Sequence, residues 1–143
     1  MYCNSKESII LNILSPGDII SEYKLNASQE FLDSYIEACQ LTVNNKLNYP
    51  ISALVTLGFK DLLKTLNLFN NDSETVHTSQ EMSLYSPVKV NSQLICTCIL
   101  KSKKIIRNNL MVTIEMHFKN VNNQNIGYSS SNLLITNKEQ ENA

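Results

Sequence analysis

The sequence predicts an α+β fold in which a curved antiparallel sheet wraps around one long buried helix. Two observations predict it. Residues 48–69 are apolar over nearly the whole circumference of a helix, through Ile51, Leu54, Val55, Leu57, Leu62, Leu63 and Leu66. Only Lys60, Asp61 and Lys64 mark a wet end, and a helix of that kind has to be enclosed by something. Everything after it reads as strand, so a sheet is the only partner left in the chain to enclose it.

The elements follow in order. Ser15-Pro16-Gly17-Asp18 signals a turn, and residues 19–25 a short extended segment. Asn26-Ala27-Ser28 offers an N-cap, with Glu30 early in the next helix to suit its dipole. That helix, residues 29–40, sets Phe31, Tyr35 and Cys39 four apart with Ile36 beside them, which predicts one packed face. Residues 41–48 read as a polar loop. Pro50 suits the first turn of the buried helix, where its missing N–H is harmless. Gly58 costs about 1 kcal/mol against Ala in mid-helix, which predicts close approach by a neighbouring backbone. Residues 70–73 form a loop.

Four strands come next. In residues 76–85, Met82 and Leu84 share one face, with His77, Ser79, Glu81 and Ser83 on the other. Pro87 and Asn91 bracket a turn or bulge. Residues 93–106 form a long strand with Lys101-Ser102-Lys103-Lys104 in its middle, and Asn108-Asn109 make the hairpin turn. Residues 110–118 alternate best, with Leu110, Val112, Ile114, Met116 and Phe118 inward and Thr113, Glu115 and His117 outward. After a turn at residues 122–125, residues 126–136 close the sheet with a small polar centre, Ser129–Ser131.

At 143 residues the chain predicts a single domain, 1–143, with its core at about 15–136 and a peripheral N-terminal segment and 137–143 tail. A net charge of -1 gives no electrostatic reason to expect nucleic acid or an anionic membrane as a partner. The spacing of Cys3, Cys39, Cys96 and Cys98 fits neither a disulfide framework nor a zinc or redox motif. Cys96 and Cys98 lie two apart on one strand, so they share a face as small buried hydrophobes. No metal or other cofactor is expected. Neither a signal peptide nor a membrane-spanning stretch is visible, and a reduced, cytoplasmic, soluble protein is the expectation.

A long helix wrapped by a curved sheet that mostly follows it is the hotdog arrangement. Gly17-Asp18, then residues 31–38, then Tyr49-Pro50 entering the buried helix, resemble the MaoC-like branch of hotdog proteins. Val76-His77-Thr78-Ser79-Gln80-Glu81-Met82-Ser83-Leu84-Tyr85-Ser86-Pro87-Val88 resembles a strand and Pro turn of the N-terminal, FAS1-type dehydratase half-domains. Gly127-Tyr128-Ser129-Ser130-Ser131-Asn132-Leu133-Leu134 is similar to the closing strand of that unit. The resemblance covers residues 15–136 and implies fatty acyl-CoA or acyl carrier protein (ACP) metabolism. It also implies homodimers or heterodimers that join their sheets edge to edge, with any ligand tunnel at that interface.

The departures shape the functional expectation. The resemblance implies an Asp and a His at short spacing just before the buried helix, an acid/base pair that moves water across a thioester-conjugated double bond. The corresponding stretch, residues 40–49, holds neither, and Asn91 stands where the family has a turn Gly. His77 is the one His near a usable site, and reads as a partly exposed strand residue in preference to a general base. His117 reads as a solvated or interface residue, and Glu81 and Glu115 as solvated charges.

Asn44, Asn45, Asn48, Tyr49 and Pro50 sit where a relative holds a thioester carbonyl, at a helix N-terminus whose free N–H groups can polarise it; the competing reading is an Asn-rich loop. Lys101, Lys103, Lys104 and Arg107 read as a solvated hairpin in preference to a site for a coenzyme A phosphate or an acidic carrier. The expectation is a non-catalytic acyl-binding module or partner subunit of a catalytic hotdog chain. The alternatives are an active enoyl-thioester hydratase or 3-hydroxyacyl-thioester dehydratase, and an acyl-CoA thioesterase, for which Asp61 lies too close to the helix's far end.

Overall fold

The computed structural model describes residues 9–42, 48–68 and 73–137. Cys3 and the tail from residue 138 lie outside them. The elements run α1 (Ile9–Ile13), β1 (Ile19–Asn26), α2 (Gln29–Cys39), α3 (Ile51–Thr65), β2 (Ser73–Leu84), β3 (Gln93–Ile106), β4 (Asn109–Asn120) and β5 (Asn125–Asn137). The strands form one antiparallel sheet in the order β1-β3-β4-β5-β2, with α3 on its inner face.

Alternation along the central strands builds the core. Leu110, Val112, Ile114, Met116 and Phe118 on β4 are all buried, as are Leu94, Cys96, Cys98 and Leu100 on β3. The residues between them face outward and are half-buried. α3 meets this surface with Ala53, Leu54, Val55, Gly58 and Leu62. Thr56, Lys60 and Lys64 are its exposed residues, four apart on a thin wet stripe, so the helix is enclosed on nearly every side. Asp61 is half-buried, and its backbone carbonyl accepts from the Tyr23 hydroxyl at 3.1 Å.

Gly58 is needed for side chains, not for the backbone approach that the sequence suggested. A Cβ there would stand 3.3 Å from Cys96 Sγ and 3.4 Å from both Met116 Sδ and Phe118 Cε1. The helix lies so low on the sheet that the inward residues of β3 and β4 touch its axis side. Cys96 and Cys98 are fully buried beneath it with their sulfurs 3.9 Å apart. The neighbouring thiol and burial push the Cys96 thiol far above its ordinary range, so it packs as a neutral apolar group.

Bulges at Ile19/Ser21, His77/Ser79, Leu100/Ser102 and Phe118/Lys119 bend the strands around α3. The β3–β4 turn uses Arg107 and Asn108, one residue earlier than expected, both in the left-handed conformation that matches strand twist. Asn91 has φ +68°, so the position that the resemblance gives to Gly demands a left-handed residue, and Asn is the side chain that best tolerates it.

Two local expectations are corrected. α2 is capped by Ser28, whose side chain accepts from Phe31 N–H at 3.1 Å, but its packed face centres on Leu32, flanked by Phe31, Tyr35 and Ile36. Cys39, the last residue of α2, is exposed. On the β3–β4 hairpin Lys101, Lys104 and Arg107 are exposed as expected, but Lys103 is not solvated. Lys103 Nζ donates to the carbonyls of Leu11 (3.0 Å), Asn12 (3.2 Å) and Leu14 (2.5 Å), closing the C-terminal end of α1 and holding Leu11 in the core.

Candidate functional site

The groove between α3 and β2 is built from the helix N-terminus outward. Pro50 caps α3 with φ −63° and ψ 142°, one position before the first turn in which it was expected, and among the described residues no side chain caps the helix. The first intrahelical bond of this end runs from Leu54 N–H to the Pro50 carbonyl at 3.1 Å. The N–H groups of residues 51–53 therefore have no partner one turn back, the arrangement that lets a helix start attract a carbonyl oxygen or an anion. Tyr35 of α2 clamps this turn by donating to Ser52 Oγ at 2.7 Å. Gly127 of β5 lets it sit low: a Cβ there would lie 3.0 Å from the Ser83 carbonyl and 3.2 Å from Ile51 Cδ1.

Asn48 is exposed, and its backbone bridges to Lys89. Tyr49 is buried; its N–H donates to the Val88 carbonyl at 2.6 Å and its hydroxyl to the Ser28 carbonyl at 3.0 Å. Its ring thus pins the entry of α3 to α2 and to the Pro87 turn, and its hydroxyl points away from the helix start. Asn44 and Asn45 lie outside the described residues.

Burial pushes the Tyr49 hydroxyl up to about 12. It stays protonated in the fold where an exposed tyrosine loses its proton near pH 10. This contribution to stability is whole below pH 10 and disappears as pH rises through 10 to 12. Tyr49→Phe is expected to cost about 1–2 kcal/mol at neutral pH through the lost hydrogen bond. It should also flatten the loss of stability between pH 10 and 12, read from urea midpoints across that range.

His77 stands on a different face from the one its spacing suggested. Counting by twos from Leu84 and Met82 puts it outward with Ser79 and Glu81. The bulge between His77 and Ser79 inserts one residue, so His77, Gln80, Met82 and Leu84 lie opposite the inward-facing Leu133, Ser131, Ser129 and Gly127 of β5. The imidazole stacks on Phe59 of α3, with ring centroids 5.3 Å apart and planes 11° apart. Together with Leu63, Leu68, Thr75 and Leu133 they line a cleft of about 400 Å3. Between this cleft and the start of α3, Ser131 accepts from Gln80 Nε2 at 3.3 Å, while the Ser129 hydroxyl is fully buried with no partner. The hydroxyl of Thr75 is also buried without one. Both serines belong to the small polar centre visible in the sequence, but only the fold turns them toward α3.

The outward residues group separately. Glu115 is not simply solvated: Lys101 Nζ lies 3.7 Å from one of its oxygens and His117 Nε2 3.9 Å from the other. The His117 ring packs against Tyr128 with centroids 5.2 Å apart. Among the described residues no three His, Cys, Asp or Glu side chains come together as a metal site, and no helix is long and apolar enough to cross a membrane.

This helix-in-sheet architecture is the hotdog fold, and solved structures share it. The chain is similar to the HadBC (3R)-hydroxyacyl-ACP dehydratase complex from Mycobacterium tuberculosis, at 13% identity over 83% of this chain and 96% of that one, with a TM-score of 0.68. It is similar to the MaoC-like dehydratase from Rhodospirillum rubrum, at 13% identity over 90% and 97% of the two chains, TM-score 0.64. A thioesterase superfamily member from Thermus thermophilus matches at 10% identity over 90% and 88%, TM-score 0.63. No family model and no curated protein matches the sequence.

Proposed function

We propose that this chain is a cytoplasmic acyl-thioester-binding hotdog subunit that lacks an acid/base pair of its own and works beside a catalytic chain or as an acyl-binding module. The observation that carries the reading is the stretch from Gln40 to Tyr49, which contains no Asp and no His, in front of a helix whose N-terminus is open. An uncapped α3 can accept a thioester carbonyl through its free N–H groups and its dipole. Asn48 and Pro50 border that point, and Tyr49 sets the angle at which the chain enters the helix. Without a proton donor and acceptor beside it, binding does not lead to hydration.

His77 does not supply the missing base on this reading. It stacks on Phe59, eight residues along α3 from Ile51, which is about 12 Å at the rise of a helix. The thioesterase alternative fares similarly, since Asp61 is ten residues from Ile51, about 15 Å along the axis. The dehydratases among the similar structures keep an active enzyme as the second reading.

The test is a hydration assay with crotonyl-coenzyme A, followed as loss of enoyl absorbance, alongside a binding titration with the saturated butyryl thioester. Binding without turnover above background is the expected result, and His77→Ala should leave binding unchanged. Turnover that His77→Ala removes would overturn the non-catalytic assignment.

A further inference from the structure

Between Glu81 and Glu115 the sequence contains no Asp or Glu, although the whole chain carries a net charge of -1. The β3–β4 hairpin lies in this stretch, and its tip reads Lys104-Ile105-Ile106-Arg107-Asn108, every residue of it exposed. β1 pairs with β3 only as far as Ile99, so from Ser102 to Ile106 β3 is the edge of the sheet. Ile105 is in register with the buried Leu110 and shares its face, which puts Ile106 on the opposite one. Ile105 is nevertheless 62 % exposed and Ile106 42 %. The tip thus presents a bare isoleucine on each face. α1 ends at the base of the hairpin, where Lys103 holds its carbonyls, and adds the exposed Ile13 beside it. The side chains of Lys104 and Arg107 have no ion pair or hydrogen bond among the described residues. Other lysines also stand unpaired, but none of them adjoins two consecutive exposed isoleucines. The nearby carboxylates are engaged or distant. Glu115 is held by Lys101, and Asp18 accepts from Ser15 N–H at 2.8 Å. Glu74 stands on β2, three strands across from β3, roughly 14 Å at the spacing of strands.

We propose that this hairpin tip is a peripheral membrane contact, in which Ile105 and Ile106 enter the interface of an anionic bilayer and Lys104 and Arg107 lie against its headgroups. The small net charge hides this because it sums over the whole chain, whereas a surface feels the charges within about a Debye length of it. Cations beside exposed apolar side chains are what an anionic lipid interface attracts, through charge and through apolar burial together. Other occupants fit less well. A second copy of the same patch would set cation against cation. A nucleic acid would use the cations but leave the isoleucines idle, and the tip offers no aromatic ring for a base to stack on. A groove on another protein takes one face of a strand, while here the two isoleucines point to opposite faces; a fluid interface surrounds both. Lysines alone would guard a sheet edge against other strands, but paired bare isoleucines undo that protection unless something covers them.

The experiment sediments the full chain with vesicles of phosphatidylcholine alone and of phosphatidylcholine mixed with phosphatidylglycerol, at low and at moderate salt. The mixed vesicles should bind it at least tenfold more tightly than the neutral ones, and less so as salt rises. Lys104→Glu/Arg107→Glu and Ile105→Ser/Ile106→Ser should each weaken that binding at least tenfold. Lys60→Glu/Lys64→Glu makes the same charge change on the wet stripe of α3 and should leave it unaltered. Ile106→Trp places a single tryptophan at the tip of a chain that has none. Its emission should move to the blue on mixed vesicles and stay put on neutral ones. A parent chain that does not bind the mixed vesicles would overturn the proposal, as would binding that survives both tip variants. An equal loss in the α3 variant would reduce the effect to net charge, and an unshifted tryptophan on bound vesicles would show that the tip stays outside the bilayer; either result overturns the contact. So would equal or tighter binding to a duplex oligonucleotide, which would assign the cations to nucleic acid.

Discussion

Gly58→Leu is expected to cost about 3 kcal/mol or more, because the position has no room for a side chain. The first carbon alone would meet Cys96 Sγ, Met116 Sδ and Phe118 Cε1 at 3.3–3.4 Å, and all three belong to fully buried residues on central strands. A leucine adds three further carbons in the same direction, so α3 must lift from β3 and β4 and lose contact along its length. For a chain of this size that is a fall of roughly 10 °C in Tm. Gly58→Ala separates this cause from helix propensity. Alanine gains about 1 kcal/mol of propensity, and the thioether of Met116 can shift by a few tenths of an ångström, so its Tm should lie within a few degrees of the parent. An alanine variant as damaged as the leucine one would mean that backbone freedom, not space, is what Gly58 supplies.

The same residue shows what a sequence can reveal. An apolar circumference with a Gly in its middle says that something comes close, but not what. The approach depends on how deeply the helix sinks into the sheet, which is a tertiary fact. The β4 alternation, the Ser28 cap and the paired burial of Cys96 and Cys98 were legible because each depends only on a local period or on one hydrogen bond within a turn. His77 was misread in its face because a bulge reverses the alternation, and Thr78-Ser79 carries no Gly or Pro to announce one. Lys103 was misread because its partners lie 89 to 92 residues away in sequence. At the site, the missing Asp and His of residues 40–49 were readable directly, whereas the orphaned hydroxyls of Ser129 and Thr75 emerge only from the pairing of β2 with β5.

Met82→Lys/Leu84→Lys is expected to abolish the dimer that we propose forms through the β2 edge, raising its dissociation constant at least a hundredfold, about 2.7 kcal/mol. β2 is a 12-residue strand that pairs with β5 along one edge, and no strand among the described residues covers the other. A bare edge of that length invites pairing with another chain. Its groove-side apolar residues are left open: Met82 is 39 % and Leu84 41 % exposed, and Tyr85 just beyond is 62 % exposed. Joining two such edges would cover these side chains and close the α3–β2 groove into a tunnel. Two lysines placed there would be buried without partners, at a cost of several kcal/mol that the monomer does not bear. Sedimentation should therefore show a dimer for the parent and a monomer for the variant, with secondary structure unchanged. A parent chain that sediments alone as a monomer would overturn the homodimer and leave a heterodimer with a different hotdog chain as the arrangement to test. The lysine pair should then break that heterodimer, because the exposed apolar stripe, not the identity of the partner, is what the substitution removes.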